Sequence, residues 1–220
     1  MSVLIEQSYS LERNKCLGKN TYIFYADAVK CFDKLWLKNC LLNMNRKGFP
    51  IYDTVLLYQL NHKAIISVNT PFGDTEDFTV YDVVKQGTIS GPLICCSEVD
   101  EINNINEVVS VPYGPDMDIG MPEYVDDVSA AGDPSDIRKG IRNCREMEKY
   151  RFTYGLDKTK YMIVKTGTEL PETITERVKE GIVQQTHHQK YVGIWMNEKA
   201  NLASHLKFLT DKTRVGLKEL

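Results

Sequence analysis

Three aspartates at the ends of β-prone segments constrain this chain more than any other feature. Residues 21–26 (TYIFYA), rich in aromatic and β-branched side chains, are typical of a buried strand that ends at Asp27. Residues 124–129 (YVDDVS) predict a tight hairpin with Asp126 and Asp127 at its tip. Two antiparallel strands of one sheet would bring the three carboxylates together. Buried like charges at this distance require a compensating cation.

The charge distribution supports a cation at this place. The net charge of -3 divides into +1 for residues 1–85, -11 for residues 86–137 and +7 for residues 138–220. The middle block contains 11 acidic residues and no Lys or Arg, so it repels nucleic-acid phosphates unless cations intervene. It indicates either a solvated acidic face or a divalent-metal site. Taken alone, the Asp pair is also typical of a polar turn, in which Asp is favoured.

Composition excludes several classes of protein. The chain has 220 residues, of which 42% are hydrophobic and 26% charged, as expected for a globular chain with a sizeable core. It contains no apolar run of 18 residues and no basic start followed by an apolar stretch, so neither a membrane span nor a secretory signal is predicted. We therefore expect an intracellular protein, nuclear or cytoplasmic. Six scattered cysteines predict reduced thiols.

The order of predicted elements is mixed and favours an α+β fold with a largely antiparallel sheet. Helices are predicted at residues 33–47, 51–60, 93–109, from Asp133 or Ser135 to about 150, and 201–220. Strands are predicted at residues 21–26, 65–68, 78–84, 161–164, 178–185 and 190–196.

Five short blocks resemble, in order, motifs A to E of the reverse transcriptases, most closely those of non-LTR (LINE-like) retrotransposons. Each block alone is weak, but their order and spacing between residues 25 and 193 carry the resemblance. The blocks are residues 25–33 (YADAVKCFD), 86–92 (QGTISGP), 124–127 (YVDD), 154–160 (YGLDKTK) and 191–193 (YVG).

The resemblance implies a polymerase palm, with a small antiparallel sheet and helices packed on one of its faces. Residues 1–200 would form the palm with partial fingers inserted at about 34–85. Residues 201–220 would be the start of a truncated thumb helix. Only 26 residues precede Asp27, which is too few for complete fingers, so we expect weak or no polymerase activity from this chain by itself.

The resemblance also implies roles for the acidic residues. Asp27 and Asp126 would bind two Mg²⁺ ions, with Mn²⁺ as a substitute, and Asp127 would be the supporting metal ligand. The backbone carbonyl of Ala28 would add an oxygen. Lys158 would protonate or neutralise the pyrophosphate leaving group, although Lys160 lies close enough to leave the register open.

The remaining implied residues contact nucleotide and primer. Phe32 would lie under the incoming sugar and exclude a 2′-hydroxyl, Gln86 and Gly87 would contact the nucleotide or template, and Tyr124 would face the primer end. The partners would be dNTPs and a primer–template with an RNA or DNA template.

The expected function is therefore RNA-directed DNA polymerisation, and two alternatives remain open. The chain is either an active polymerase domain or a catalytically inactive retroelement remnant that binds nucleic acid or protein. A third possibility, an RNA-dependent RNA polymerase, is disfavoured by Phe32 and by the YVDD block.

Overall fold

A computed structural model of the protein describes residues 2–104, 111–112, 118–119, 121, 123–201 and 203–216. Its helices are α1 (Ser2–Cys16), α2 (Cys31–Lys34), α3 (Leu37–Arg46), α4 (Ile51–His62), α5 (Ser90–Val99), α6 (Pro134–Met147) and α7 (Ala203–Gly216), with 3₁₀ turns at Asp100–Asn104 and Glu148–Tyr150. Its strands are β1 (Thr21–Asp27), β2 (Lys63–Ile66), β3 (Asn69–Thr70), β4 (Gly73–Asp74), β5 (Phe78–Tyr81), β6 (Val111–Pro112), β7 (Asp118–Ile119), β8 (Glu123–Tyr124), β9 (Asp127–Gly132), β10 (Lys160–Val164), β11 (Arg177–Val178), β12 (Gly181–Ile182), β13 (Gln184–Thr186), β14 (His188–Tyr191) and β15 (Ile194–Asn197).

A five-stranded sheet in the order β13-β10-β1-β9-β8 forms the centre of the fold. Strand β1 lies in the middle and pairs antiparallel with β9 on one side and with β10 on the other. The prediction of an α+β fold is confirmed. The sheet is largely antiparallel, as predicted, and β13 joins β10 in parallel.

Both faces of strand β1 are covered, which corrects the expectation of helices on one face. Tyr22 and Phe24 belong to the larger core, together with buried residues of α3, α5 and α6. Ile23 and Tyr25 belong to a smaller core, against which Leu11 of α1 packs. The physical reason lies in residues 21–26, where large apolar side chains occupy both faces and both need cover from water.

The predicted helix over residues 33–47 is divided into α2 and α3. Leu35 and Trp36, which separate the two helices, have extended backbone with ψ values of 135° and 95°. Leu35 and Leu37 are both buried, and a spacing of two residues places both side chains in the core only where the backbone is extended. Burial therefore interrupts the helix.

Helix α6 begins as predicted. The Asp133 carboxylate accepts hydrogen bonds from the backbone N–H groups of Ser135 and Asp136, and the Asp136 carboxylate accepts one from the Asp133 N–H. This reciprocal capping satisfies N–H groups that have no partner within the helix.

The outer strands form two-stranded units. The pairs are β2 with β5, β3 with β4, β6 with β7, β11 with β12, and β14 with β15. The strands predicted at 178–185 and 190–196 are therefore each divided by a turn. Residues 34–85 contain α3, α4 and the strands β2 to β5. Their assignment as partial fingers, and that of residues 201–220 as a thumb segment, stay predictions.

Glu98 connects helix α5 to helix α3. The Glu98 side chain on α5 is 2% exposed, and its two oxygens accept hydrogen bonds from Asn39 Nδ2 at 2.6 Å and Asn43 Nδ2 at 2.9 Å, both on α3. Burial raises the pKa of Glu98, and the hydrogen bonds from the asparagines offset part of that rise. The folded state therefore holds this proton more tightly than the unfolded state.

Replacing Glu98 by Gln should change the pH dependence of stability. A raised folded-state pKa stabilises the fold at low pH, and this contribution is lost as the pH rises above about 4.5. The free energy of unfolding of Glu98→Gln should thus rise relative to wild type between about pH 4 and pH 7, measured by urea denaturation. The exposed Glu12→Gln controls for loss of a charge. The prediction would be contradicted if the difference in the free energy of unfolding between wild type and Glu98→Gln did not change with pH.

Candidate active site

The pairing of β1 with β9 brings the predicted aspartates together. In this register Asp27 lies directly opposite Asp127, and their side chains share a hydrogen bond. Asp126 precedes Asp127 in the turn between β8 and β9, where Val125 adopts a φ of 62°. The hairpin prediction is one residue wrong, because Asp127 is the first residue of β9 and only Asp126 lies at the tip.

Burial and mutual repulsion perturb these carboxyl groups. Burial is the largest cause of the raised pKa of both Asp126 and Asp127, and the negative charge of Asp27 raises both further. The pKa of Asp127 rises to about 7, and the second cause is the hydrogen bond that protonated Asp127 donates to the Asp27 carboxylate. The positive charge of Lys158 acts in the opposite direction on both groups. The cluster therefore favours a positive partner.

Lys158 supplies a positive partner in this structure. Its Nζ lies 2.7 Å from Asp27 Oδ2, and this contact raises the pKa of Lys158. The other candidate lysine, Lys160, donates from Nζ to Gln184 Oε1 at 3.2 Å. Of the two lysines between which the sequence did not decide, Lys158 is the one in contact with a site carboxylate.

A cavity of about 280 Å³ opens on one side of the carboxylates. It brings together predicted residues from four sequence blocks, with lining residues that include Asp27, Ala28, Phe32, Gln86, Asp126 and Lys158. Gly91 of α5 lies against the Phe32 ring, since a β-carbon at residue 91 would come within 3.4 Å of Phe32 Cε1 and 2.5 Å of Lys85 O. A glycine at this position lets α5 approach α2 closely.

Two further predicted residues lie at the borders of the site. Gly87 has a φ of 79° in the turn before α5, next to Gln86. The backbone of Tyr124 pairs with Asp127 in the sheet, and its side chain lies outside the described part of the chain.

A second cavity, of about 410 Å³, opens between β1 and the β14–β15 hairpin. It shares Asp27 and Lys158 with the first cavity, and its lining also includes Tyr25, Asp127, Gln189, Tyr191, Gly193 and Trp195. Tyr191 Oη donates a hydrogen bond to the backbone oxygen of Asp127 at 3.2 Å, and its ring lies 5.1 Å from that of Tyr25. Sequence reasoning missed this contact, although Tyr191 opens the YVG block.

The three aspartates are suitable ligands for a hard divalent cation, but the Lys158 amine contacts one oxygen of Asp27. Three aspartates provide the oxygen ligands that Mg²⁺ and Mn²⁺ prefer. Over the described residues, no group of three or more His, Cys, Asp or Glu side chains stands arranged to hold a metal ion. One oxygen of Asp27 has a cationic partner in this structure, the Lys158 amine.

Comparison with known proteins shows the fold. The sequence matches no protein-family profile and no curated protein sequence. The structure resembles an apo telomerase from Candida tropicalis truncated from its C-terminal domain, with 16% identity, a TM-score of 0.56, and coverage of 91% of this chain and 38% of that one. It also resembles telomerase from Candida tropicalis in complex with a TWJ fragment of telomeric RNA, with 13% identity, a TM-score of 0.59, and coverage of 93% and 33%.

These similarities define the class of fold. The chain shares the fold of the matching part of these telomerase structures, and it spans between 33% and 38% of the length of those telomerase chains. They do not distinguish the non-LTR type named by the sequence blocks. No helix within the described residues is long and apolar enough to cross a membrane.

Replacing Asp127 by Asn should stabilise the metal-free protein. The substitution removes one of three like charges, and the new amide can donate to the Asp27 carboxylate. The free energy of unfolding in EDTA should rise by about 1 kcal/mol in urea denaturation.

The matched control is Asp157→Asn, an exposed carboxylate that lines the same groove, for which a change within about 0.5 kcal/mol is expected. A loss of stability in Asp127→Asn that is absent from Asp157→Asn would show that the three carboxylates do not repel one another.

Proposed function

We propose that this chain is the RNA-directed DNA polymerase domain of a retrotransposon, and that it adds dNTPs to a primer 3′-hydroxyl on a nucleic-acid template. The observation that carries the proposal is the convergence of five separate sequence blocks on one cleft. Each of the five blocks contributes a residue to at least one of the two adjoining cavities. These residues are Asp27, Gln86, Asp126, Lys158 and Tyr191. The telomerase-like fold supports the same class of chemistry.

The carboxylates are the proposed ligands of two Mg²⁺ ions, for which Mn²⁺ can substitute. Asp27 and Asp126 would hold them, with Asp127 as the supporting ligand, and the carbonyl of Ala28 adds a further oxygen. Such ions, when bound, lower the pKa of an attacking hydroxyl and stabilise the charge on the transferring phosphate. The burial that raises the pKa of Asp126 and Asp127 also makes a bound divalent cation favourable.

The smaller cavity is the proposed nucleotide site. Phe32 and Gln86 line it beside Asp126. In this proposal the Phe32 ring contacts the sugar and leaves no room for a 2′-hydroxyl. Gly87, next to Gln86, allows close approach of the backbone to a base pair. Lys158 lines the same cavity and supplies the positive charge, or the proton, for the pyrophosphate leaving group.

The larger cavity is the proposed place of the primer end. The hairpin turn at Gly193 and the aromatic residues Tyr191 and Trp195 line it. Tyr124, which precedes the aspartate pair in the sequence, would face the primer end. The charge of +7 over residues 138–220 favours contact with the phosphates of a primer–template.

A primer-extension assay tests this proposal. With an oligo(dT) primer on poly(rA), dTTP and Mn²⁺, we expect slow incorporation by the wild-type chain at high protein concentration. Asp126→Asn should lower the rate by about 100-fold or more, the scale of loss when a group that stabilises transition-state charge is removed. The exposed Glu12→Gln, which lies in the lining of neither cavity, should keep the wild-type rate.

The same assay separates the alternatives. Phe32→Val should raise incorporation of UTP relative to dTTP, whereas equal use of UTP and dTTP by wild type would favour an RNA polymerase. Primer–template binding without any incorporation that depends on Asp126 would contradict the proposal and favour a remnant that only binds nucleic acid. The lysine on Asp27 is the observation that keeps this second candidate open.

A further inference from the structure

We propose that Lys158 is an internal cation of the resting site, and that its amine competes with a divalent metal ion for Asp27. This inference rests on the proposed function, because it concerns the same three carboxylates. It adds a step to that function, since Lys158 must leave Asp27 before Asp27 serves as a metal ligand.

The first argument is the position of the amine. Lys158 Nζ is 2.7 Å from Asp27 Oδ2, the distance of a direct ion pair between charged groups. Asp27 faces Asp127 on the neighbouring strand, so the amine lies at the edge of the carboxylate cluster. A divalent cation on the same oxygen would stand within a few ångström of the ammonium group and repel it.

The second argument is that the lysine can move without moving its backbone. The Lys158 N–H donates to Gly155 O at 3.2 Å, and the Lys158 carbonyl accepts from Gln189 Nε2 at 3.0 Å. The backbone is therefore held on both sides. The side chain is 63% exposed, so its amine can exchange the carboxylate for water at small cost.

The third argument is what lies within reach of the displaced amine. Lys158 lines both cavities, and the smaller one is the proposed nucleotide site with Phe32 and Gln86. Lys30 lines the same smaller cavity, while Asp33 and Asp157 are the acidic neighbours outside the cluster. Release from Asp27 thus leaves the Lys158 charge available to phosphate groups, which couples metal binding to the proposed role of the lysine at the leaving group.

Titration calorimetry with MnCl₂ alone tests the competition. We compare wild type with Lys158→Met, which removes the charge, and Lys158→Arg, which keeps it. Lys160→Met is the matched control, because Lys160 contacts Gln184 and no site carboxylate. Lys158→Met should bind Mn²⁺ about tenfold more tightly than wild type, since one nearby positive charge is gone. Lys158→Arg and Lys160→Met should stay within about twofold of wild type.

The outcomes separate this inference from the proposed function. The inference is supported if Lys158→Met is the variant that binds Mn²⁺ more tightly than wild type. This holds also if wild type itself shows no measurable binding. Equal or weaker Mn²⁺ binding by Lys158→Met overturns the inference. The proposed metal site still stands in that case if wild type binds Mn²⁺ and Asp126→Asn does not. Absence of Mn²⁺ binding in all the proteins overturns both. Circular dichroism of each variant checks folding, and Lys158→Gln replaces Lys158→Met if the latter does not fold.

Discussion

The antiparallel pairing of β1 with β9 is the interaction on which the rest of the site depends. It sets Asp27 opposite Asp127 and leaves Asp126 in the adjoining turn. A shift of one residue would turn Val128 and Ala130 of β9 away from the larger core, so their burial favours this register. The hydrophobic core thus holds three carboxylates together despite their repulsion, and a positive charge becomes necessary to the site.

The helices around this sheet bring the other functional groups to the same place. Helix α5 carries the turn of Gln86 and Gly87 at its start, and its residue Glu98 is bound to Asn39 and Asn43 of α3. On the opposite side, Tyr191 connects the β14–β15 hairpin to the backbone of Asp127. The two cavities therefore meet at Asp27 and Lys158, so that a nucleotide and a primer end placed in them would meet at the carboxylates.

Local sequence signals were sufficient where one pattern determined the structure. The run TYIFYA predicted β1, Pro50 predicted the start of α4, and Asp133 predicted the start of α6. The five blocks are far apart along the chain, and each contributes a residue to one or both of the two cavities. The fourth block leaves Lys158 and Lys160 as alternatives, and the contact with Asp27 distinguishes Lys158.

Features that depend on long-range contacts were not predictable from local sequence. Helix α1 has no strong apolar stripe, and its place on the sheet comes from contacts of Leu11 and Ser10 with distant strands. The break after α2 follows from the joint burial of Leu35 and Leu37. The place of Asp127 inside β9 follows from its partner on β1, and the hydrogen bond from Tyr191 joins residues 64 positions apart.

The most direct test of the central claim is to map where a divalent cation binds. Fe²⁺ bound in place of Mg²⁺, with ascorbate and peroxide, generates hydroxyl radicals that cut the nearest backbone, and mass spectrometry locates the cuts. We predict cuts close to Asp27 and close to Asp126, suppressed by excess Mg²⁺ and lost in Asp126→Asn. Cuts confined to other parts of the acidic block at residues 86–137, with none near Asp27, would contradict a metal site formed by the pairing of β1 with β9.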